Sequence, residues 1–472
     1  MDKQRVRLTG IVIRNLKNVG CGELNFINTR KPYNASVLAL YGQNGSGKTA
    51  LIDALQILKY ALSGEPVPDV IADYISIDAE AAALSFRFEV TAAAGKYDAF
   101  YEFRIRKEST PAETENGTAR SRVVLFDEVL SYSYDGTDAK IRKGPLINTC
   151  SSDVFTPAEK YRVLIGRGKK MDLRVERRRA AETSRSFIFS RTLLYTADQH
   201  GRELEPDSAD LQDYNRHMTL LTELSRYGIF DLFVISTMAT GLISFNALPL
   251  PYKYQGKGKQ SVGEIMLSLE GPYVVSSEML ALTRKVIGSM NIVLTQIVPG
   301  LEIAVKELGA ELLNNAKEGC RIELVSCKNG REIPLRNESE GIKKIVSVLQ
   351  LLIAVYNQPS VTVAIDELDS GIFEYLLGEL MSIISERGKG QLIFTSHNLR
   401  PLETLDRGFV AFTTTSPEKR YVRLTGIKDS NNLRDYYYRD IMLGEQDEEL
   451  YAPTSNAEIA FAFREAGEYN GS

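Results

Sequence analysis

The chain has 472 residues, of which 25% are charged, and a net charge of −4; this excludes a protein that coats nucleic acid with a uniformly basic surface. That length accommodates two to three domain-sized units with ample core. Four scattered cysteines without a CxxC pair, and only three histidines, exclude the common zinc-site spacings and fit a reducing, cytoplasmic setting.

The opening MDKQRVRLTG carries charge and no apolar core segment, so no signal peptide is expected. Val37 to Tyr41 (VLALY) is a short continuous apolar run, the pattern of a strand buried on both faces. GQNGSGKT, Gly42 to Thr49, follows at once and leads into LIDALQILKYAL at helical spacing. This strand–GxxxxGK[ST]–helix order is a phosphate-binding loop. Gly42, Asn44, Gly45, Ser46 and Gly47 are expected to curl backbone N–H groups around the phosphates of ATP at a helix N-terminus that favours anions. Lys48 is expected on the β- and γ-phosphates, and the Thr49 hydroxyl on Mg²⁺.

Leu84–Val90, Tyr97–Arg106 and Arg122–Tyr134 read as strands separated by turn signals such as AAAGK and PAETENGTA, and so predict an antiparallel sheet. From Glu159 to Gly228 the pattern turns polar and mostly helical. Lys160 to Arg191 holds eleven Lys/Arg against three acids, a local excess suited to nucleic acid or an acidic partner, or else a solvated face of Arg–Glu pairs. Leu232 to Leu250 carries no charge along its whole length, but its Ser, Thr, Gly, Asn and Pro make it buried core rather than a membrane span.

NESEGIKKIV, Asn337 to Val346, opens a helix: Ser339 is an N-cap, and Ile342, Ile345, Val346, Leu349, Leu352 and Ile353 form one apolar face. Val361 to Ile365 is a second buried strand and ends in Asp366-Glu367. Asp366 is expected in the Mg²⁺ shell and Glu367 as the residue that orients or deprotonates the attacking water. Gln391 to Thr395 is a third strand, and His397 just beyond it is expected to reach the γ-phosphate or the lytic water. His200 and His217 have no such context and read as structural or surface residues.

The order of P-loop, long intervening segment, NESEG, IDELDSG and TSHN resembles the ABC-type ATPase class, which includes SMC heads and OLD-like ATPases. The resemblance implies an α/β fold: a P-loop NTPase of two-lobed ABC/SMC-head type with an antiparallel β subdomain and a mainly helical insertion. The expected units are an N-lobe over 1–135, the insertion over 136–255, and a C-lobe with its tail over 256–472. It also implies that Ser339 and Gly341 act as the signature in trans, closing over ATP held by a second subunit, although the full LSGGQ is not present. Asp369 matches the D-loop aspartate that lines the dimer interface. The Q-loop glutamine is left open, Gln199 being a candidate by position only.

No heptads long enough for an SMC arm occur, and the segment that follows His397 shows no nuclease-like cluster of acids. Among stand-alone ATPases of this type, the chain resembles the ATPase subunits of bacterial phage-defence systems, PARIS in the first place and Septu as the alternative. That likeness implies a homo-oligomer of ATP-dependent dimers that holds a separate Toprim-type nuclease until a phage protein triggers its release. The alternative is a DNA-repair ATPase that clamps DNA directly through residues 160–191.

Overall fold

The computed structural model describes residues 4–110, 120–168, 170–206, 208–236, 247–256, 259–312, 318–424, 432–443, 448–452 and 454–469. The turn expected over 111–119 and the centre of the uncharged run, 237–246, lie outside them. Strands β1 (Arg5–Leu16) and β2 (Val19–Asn25) form an antiparallel pair, and β3 (Ser36–Tyr41) leads into helix α1 (Lys48–Ser63). Next come β4 (Ala81–Ala92), β5 (Gly95–Thr110), β6 (Arg120–Gly136) and β7 (Lys140–Asn148). Together these make one antiparallel sheet in the order β2-β1-β4-β5-β6-β7. The three strands expected from sequence are its centre. The sheet runs through β7 to Asn148, past the boundary expected at 135, because β7 pairs with β6.

Helices α2 (Ala158–Ile165), α3 (Lys170–Glu182), α4 (Arg191–Gly201) and α5 (Ala209–Phe230) form the expected helical layer. The next strand, β8 (Leu232–Ile235), is not part of that layer. It pairs in parallel with the strand leading to Asp366, so the start of the uncharged run is an edge strand of the central sheet. The rest of that run resumes in β9 (Ala247–Gly256), which pairs with β10 (Lys259–Ser268). No helix among the described residues is long and apolar enough to cross a membrane.

The C-terminal half contributes β11 (Tyr273–Ser276), α6 (Ser277–Ile297), β12 (Glu302–Leu312), β13 (Glu318–Lys328) and β14 (Arg331–Pro334). Then follow α7 (Glu340–Asn357), β15 (Thr362–Ile365), α8 (Glu374–Arg387), β16 (Gln391–Thr395), α9 (Pro401–Thr404), β17 (Val410–Thr413), β18 (Tyr421–Val422), α10 (Leu433–Leu443) and α11 (Asn456–Tyr469). The central sheet has the order β18-β17-β3-β16-β15-β8. Strands β17, β3, β16, β15 and β8 run parallel and are almost wholly buried, which is why each reads as an unbroken apolar run.

Two apolar clusters sandwich this sheet. Leu38 and Leu40 face α1 and the antiparallel sheet, whereas Val37, Ala39 and Tyr41 face α7 and α8, as period-2 alternation requires. The apolar face of α7 does what its spacing predicts: Ile345, Val346, Leu349 and Leu352 are buried. Each such side chain contributes roughly 1.5–3 kcal/mol on burial. The tail follows the same logic at Tyr437, which is buried against Phe412 with ring centroids 4.8 Å apart, while Tyr438 stays exposed.

Candidate functional site

Strands β3, β15 and β16 end at one edge of the sheet, and that edge gathers the motifs. The loop after β3 is braced from below. Ser46 Oγ donates to the Gln43 carbonyl at 2.5 Å and shares a hydrogen bond with Thr413 Oγ1 at 2.5 Å. The Tyr421 hydroxyl donates to the Gly47 carbonyl at 2.9 Å, and the Asn18 amide donates to that of Gly45. A Cβ at Gly42 would lie 1.7 Å from Thr413 Oγ1, so no other residue fits there. Asn44 and Gly45 stay exposed at the tip.

Lys48 is buried under this loop, with Nζ donating to the carbonyls of Gly42 at 2.7 Å and Gln43 at 2.9 Å. Burial lowers its pKa, and the charges of Asp366, Glu367 and Asp369 act against that shift. The lysine and the three carboxylates, which lie in opposite halves of the chain, therefore share one field.

Thr395, at the end of β16, holds the acidic pair in place. Its Oγ1 donates to Asp366 Oδ1 at 2.6 Å and accepts the Glu367 N–H at 2.8 Å. Asp366 is 1% exposed. Glu367 has φ of 49°, a left-handed conformation uncommon outside glycine, and the Thr395 hydrogen bond helps to hold it there. Strand β16 lies between β3 and β15, so its last hydroxyl falls beside Asp366. Sequence reasoning passed over Thr395; its place at the strand end directly before Ser396-His397 was the available signal.

Asp369 turns toward its own subunit. Its Oδ2 accepts the backbone N–H groups of His397 at 3.0 Å and Asn398 at 2.8 Å, while Oδ1 is buried with no hydrogen-bond partner among the described residues. His397 is held by its backbone and its ring is exposed.

Ser339 caps α7, its Oγ accepting the Ile342 N–H at 3.3 Å, and remains exposed. Gly341 meets the turn after Asp369: a Cβ there would lie 2.1 Å from the Gly371 carbonyl oxygen. The start of α7 is thereby docked on the loop that carries Glu367 and Asp369. No hydrogen bond or ion pair joins residues 339–341 to 42–49 within the chain among the described residues. Gln199 sits on α4 and makes no hydrogen bond to that loop among the described residues either.

Lys344 was also missed. It is 3% exposed on the first turns of α7, and burial lowers its pKa to about 8 against the pull of Glu367, Asp369 and Asp366. Lys344 shares the opposite stripe of α7 with Val348, Leu351 and Val355, and a lysine within that apolar stripe was the signal. Two buried ammonium groups, Lys48 and Lys344, thus face the same three carboxylates.

The basic segment is largely engaged within the subunit. Arg177 donates to the carbonyls of Thr149, Ser151 and Asp153, Arg178 pairs with Glu182 at 2.9 Å, and Arg174 with Asp153 at 3.5 Å. Arg174, Arg177 and Arg178, with Arg106 and Arg185, line a cleft of about 370 Å³. His217 is fully buried beside Lys160, a structural residue as expected.

Residues 11–212 match a family described as AAA domain, and residues 160–403, more than half of the chain, match the one described as AAA domain, putative AbiEii toxin, Type IV TA system. The chain belongs to this AAA family and is an ATPase. No curated protein matches it. Among solved structures, this AAA-family ATPase is similar to an Smc head bound to the C-winged helix domain of ScpA (13% identity over 88% of this chain and 97% of that one, TM-score 0.39). It is also similar to an Smc head with an extended coiled coil bound to the C-terminal domain of ScpA, from Pyrococcus furiosus (12%, 89% and 96%, TM-score 0.38). A third is the SMC head domain from Thermotoga maritima (17%, 89% and 99%, TM-score 0.36). The parallel sheet with the phosphate loop after β3, beside an antiparallel sheet and a helical layer, is the α/β architecture expected from the sequence.

An ATPase of this family implies a nucleotide and, with it, Mg²⁺. The donor set fits both: a loop of backbone N–H groups ahead of α1, a lysine beneath it, a Thr49 hydroxyl and a carboxylate held by Thr395.

Proposed function

We propose that this protein hydrolyses ATP at composite sites formed between two copies, with Ser339 and Gly341 of one subunit closing over the loop of the other. The observation that carries this reading is the pairing of exposed halves. The tip at Asn44 and Gly45 and the cap at Ser339 lie open, while Lys48 and Asp366 behind them are buried and hydrogen-bonded. In this reading Lys48 and the amides of Gly42 to Gly47 bind the phosphates, and Thr49 and Asp366 hold the metal. Mg²⁺, when bound, would neutralise charge on the β- and γ-phosphates. Glu367 orients the attacking water, and His397 and the second subunit's cap read the γ-phosphate.

The dimer would serve as sensor and scaffold for a separate nuclease in bacterial phage defence, of PARIS type, with Septu as the alternative. Support comes from the family description, which names a putative AbiEii toxin and a Type IV TA system, and from the resemblance in motif order. The internal pairing of the basic segment weighs against direct DNA clamping.

The test is light scattering with MgATP. A Glu367→Gln chain should form a stable dimer, and a Ser339→Arg change in that chain should abolish it. A Glu367→Gln protein that stays monomeric at saturating MgATP would remove the composite site. The effector role is tested by co-expression with any adjacent Toprim-type reading frame, and failure to co-purify would remove it.

A further inference from the structure

Helix α11 (Asn456–Tyr469) is exposed at every described side chain from Asn456 to Gly467, including Ile459, Phe461 and Phe463 at 43%, 66% and 77%. Ile459 and Phe463 stand one turn apart on one face, and Phe461 lies on the other. Exposed large apolar side chains one turn apart, as Ile459 and Phe463 are, make a face suited to a partner surface.

Its starting point is set by the nucleotide loop. Leu450 is buried in the core, and Ala452 is tied to Gln43, with its N–H donating to Gln43 Oε1 at 3.0 Å. Gln43 lies within GQNGSGKT, so the chain leading to α11 is tethered next to the exposed tip at Asn44 and Gly45.

An apolar groove of about 330 Å³ lies between α6, α7 and α8, lined by Val293, Leu349, Ile353, Tyr356, Leu380 and Ile383. It begins at Leu349, ~15 Å along α7 from Ser339. Resting on the composite dimer proposed above, the Ser339 of a second copy meets this chain's loop, and that copy's α7 runs away from it. The 14 residues of α11 span ~21 Å. The residues linking it to Ala452 add up to ~13 Å. The linker and helix together exceed the ~15 Å between that copy's Ser339 and the start of its groove.

We infer that α11 docks in the α6–α7–α8 groove of a second copy of this chain, strapping the dimer that closes over ATP. Ile459 and Phe463 enter the groove beside Ile353 and Ile383. Because α7 carries both Ser339 and the groove wall, the strap and the nucleotide cap hold one helix at two points.

Cross-linking of two full-length chains tests this. One carries Phe463→Cys and the other Ile383→Cys, both at exposed positions, with the exposed native thiol removed by Cys150→Ser. They are mixed with Mg²⁺, a non-hydrolysable ATP analogue and a short bismaleimide. A covalent dimer that needs both introduced cysteines is the expected result. A cross-link that forms only within a single chain carrying both substitutions would overturn the inference and assign α11 to its own subunit. No cross-link, while light scattering still shows the analogue-dependent dimer, would overturn the strap and leave the composite site standing. A cross-link that persists with Ser339→Arg would keep the strap and separate it from the nucleotide cap.

Discussion

Gly341 and Gly371 are in backbone contact: the carbonyl oxygen of Gly371 occupies the space that a Cβ on Gly341 would need, 2.1 Å away. This contact joins the first turn of α7 to the loop that follows Glu367 and Asp369. Within one subunit the proposed cap at Ser339 and the loop that carries Glu367 and Asp369 are therefore packed backbone to backbone.

Gly341→Ala should break that coupling while the fold survives. Overpacking here is expected to cost about 1–3 kcal/mol. Fluorescent-nucleotide titration should show ATP still bound with ordinary affinity, while phosphate release falls at least about tenfold. Unchanged turnover would mean that α7 does not need its seat on Gly371.

Lys48→Ala removes the charge beneath the loop. A hydrogen bond to a charged group contributes about 1.5–3 kcal/mol, so nucleotide affinity should fall roughly 10- to 100-fold. Calorimetric titration with ATP measures this directly.

Glu367→Gln keeps shape and removes the proposed base. Turnover should drop by about 10²–10⁴-fold with ATP binding retained, since general-base assistance is typically of that size. Single-turnover phosphate release would show it, and near-normal rates would remove Glu367 from the chemistry.

Thr395→Val tests the residue that holds the acidic pair. The change leaves the Glu367 N–H without the Thr395 hydroxyl and removes the Thr395 hydrogen bond to Asp366 Oδ1, a loss of about 1–3 kcal/mol. Thermal denaturation should register the stability change, and the Mg²⁺ concentration needed for half-maximal ATPase activity should rise.

Acid should weaken the fold through His217. Burial, and then the Lys160 charge, lower its pKa to about 3, below the ordinary value of 6.5. The unfolded state therefore binds the extra proton between pH 6.5 and 3, and stability falls as pH drops through that window. The loss between pH 6.5 and 4 is roughly 3 kcal/mol for this group. In urea denaturation, His217→Phe should flatten that part of the profile relative to wild type.

Much of the fold was legible because its signals are local. VLALY, VTVAI and QLIFT read as strands buried on both faces and are buried so, and the apolar spacing from Ile342 to Ile353 marks a packed helix, although α7 also buries Val348, Leu351 and Val355 on its other side. The boundaries at β7 and β8 were not legible. A short apolar run such as Leu232–Ile235 does not say which strand it will pair with, since its hydrogen-bonding partner, Thr362–Ile365, lies far downstream in the chain.

What the sequence determined by itself was the set of motifs: the phosphate loop from Gly42 to Thr49, the Asp366-Glu367 pair and the capped helix at Ser339, each contiguous and legible from its own residues. What only the tertiary structure decided was how these pieces act on one another. Thr395 beside Asp366, Lys344 under the acidic loop and Gly341 against Gly371 are contacts between segments far apart in the chain. They arise from strand order and close packing, which no local pattern encodes.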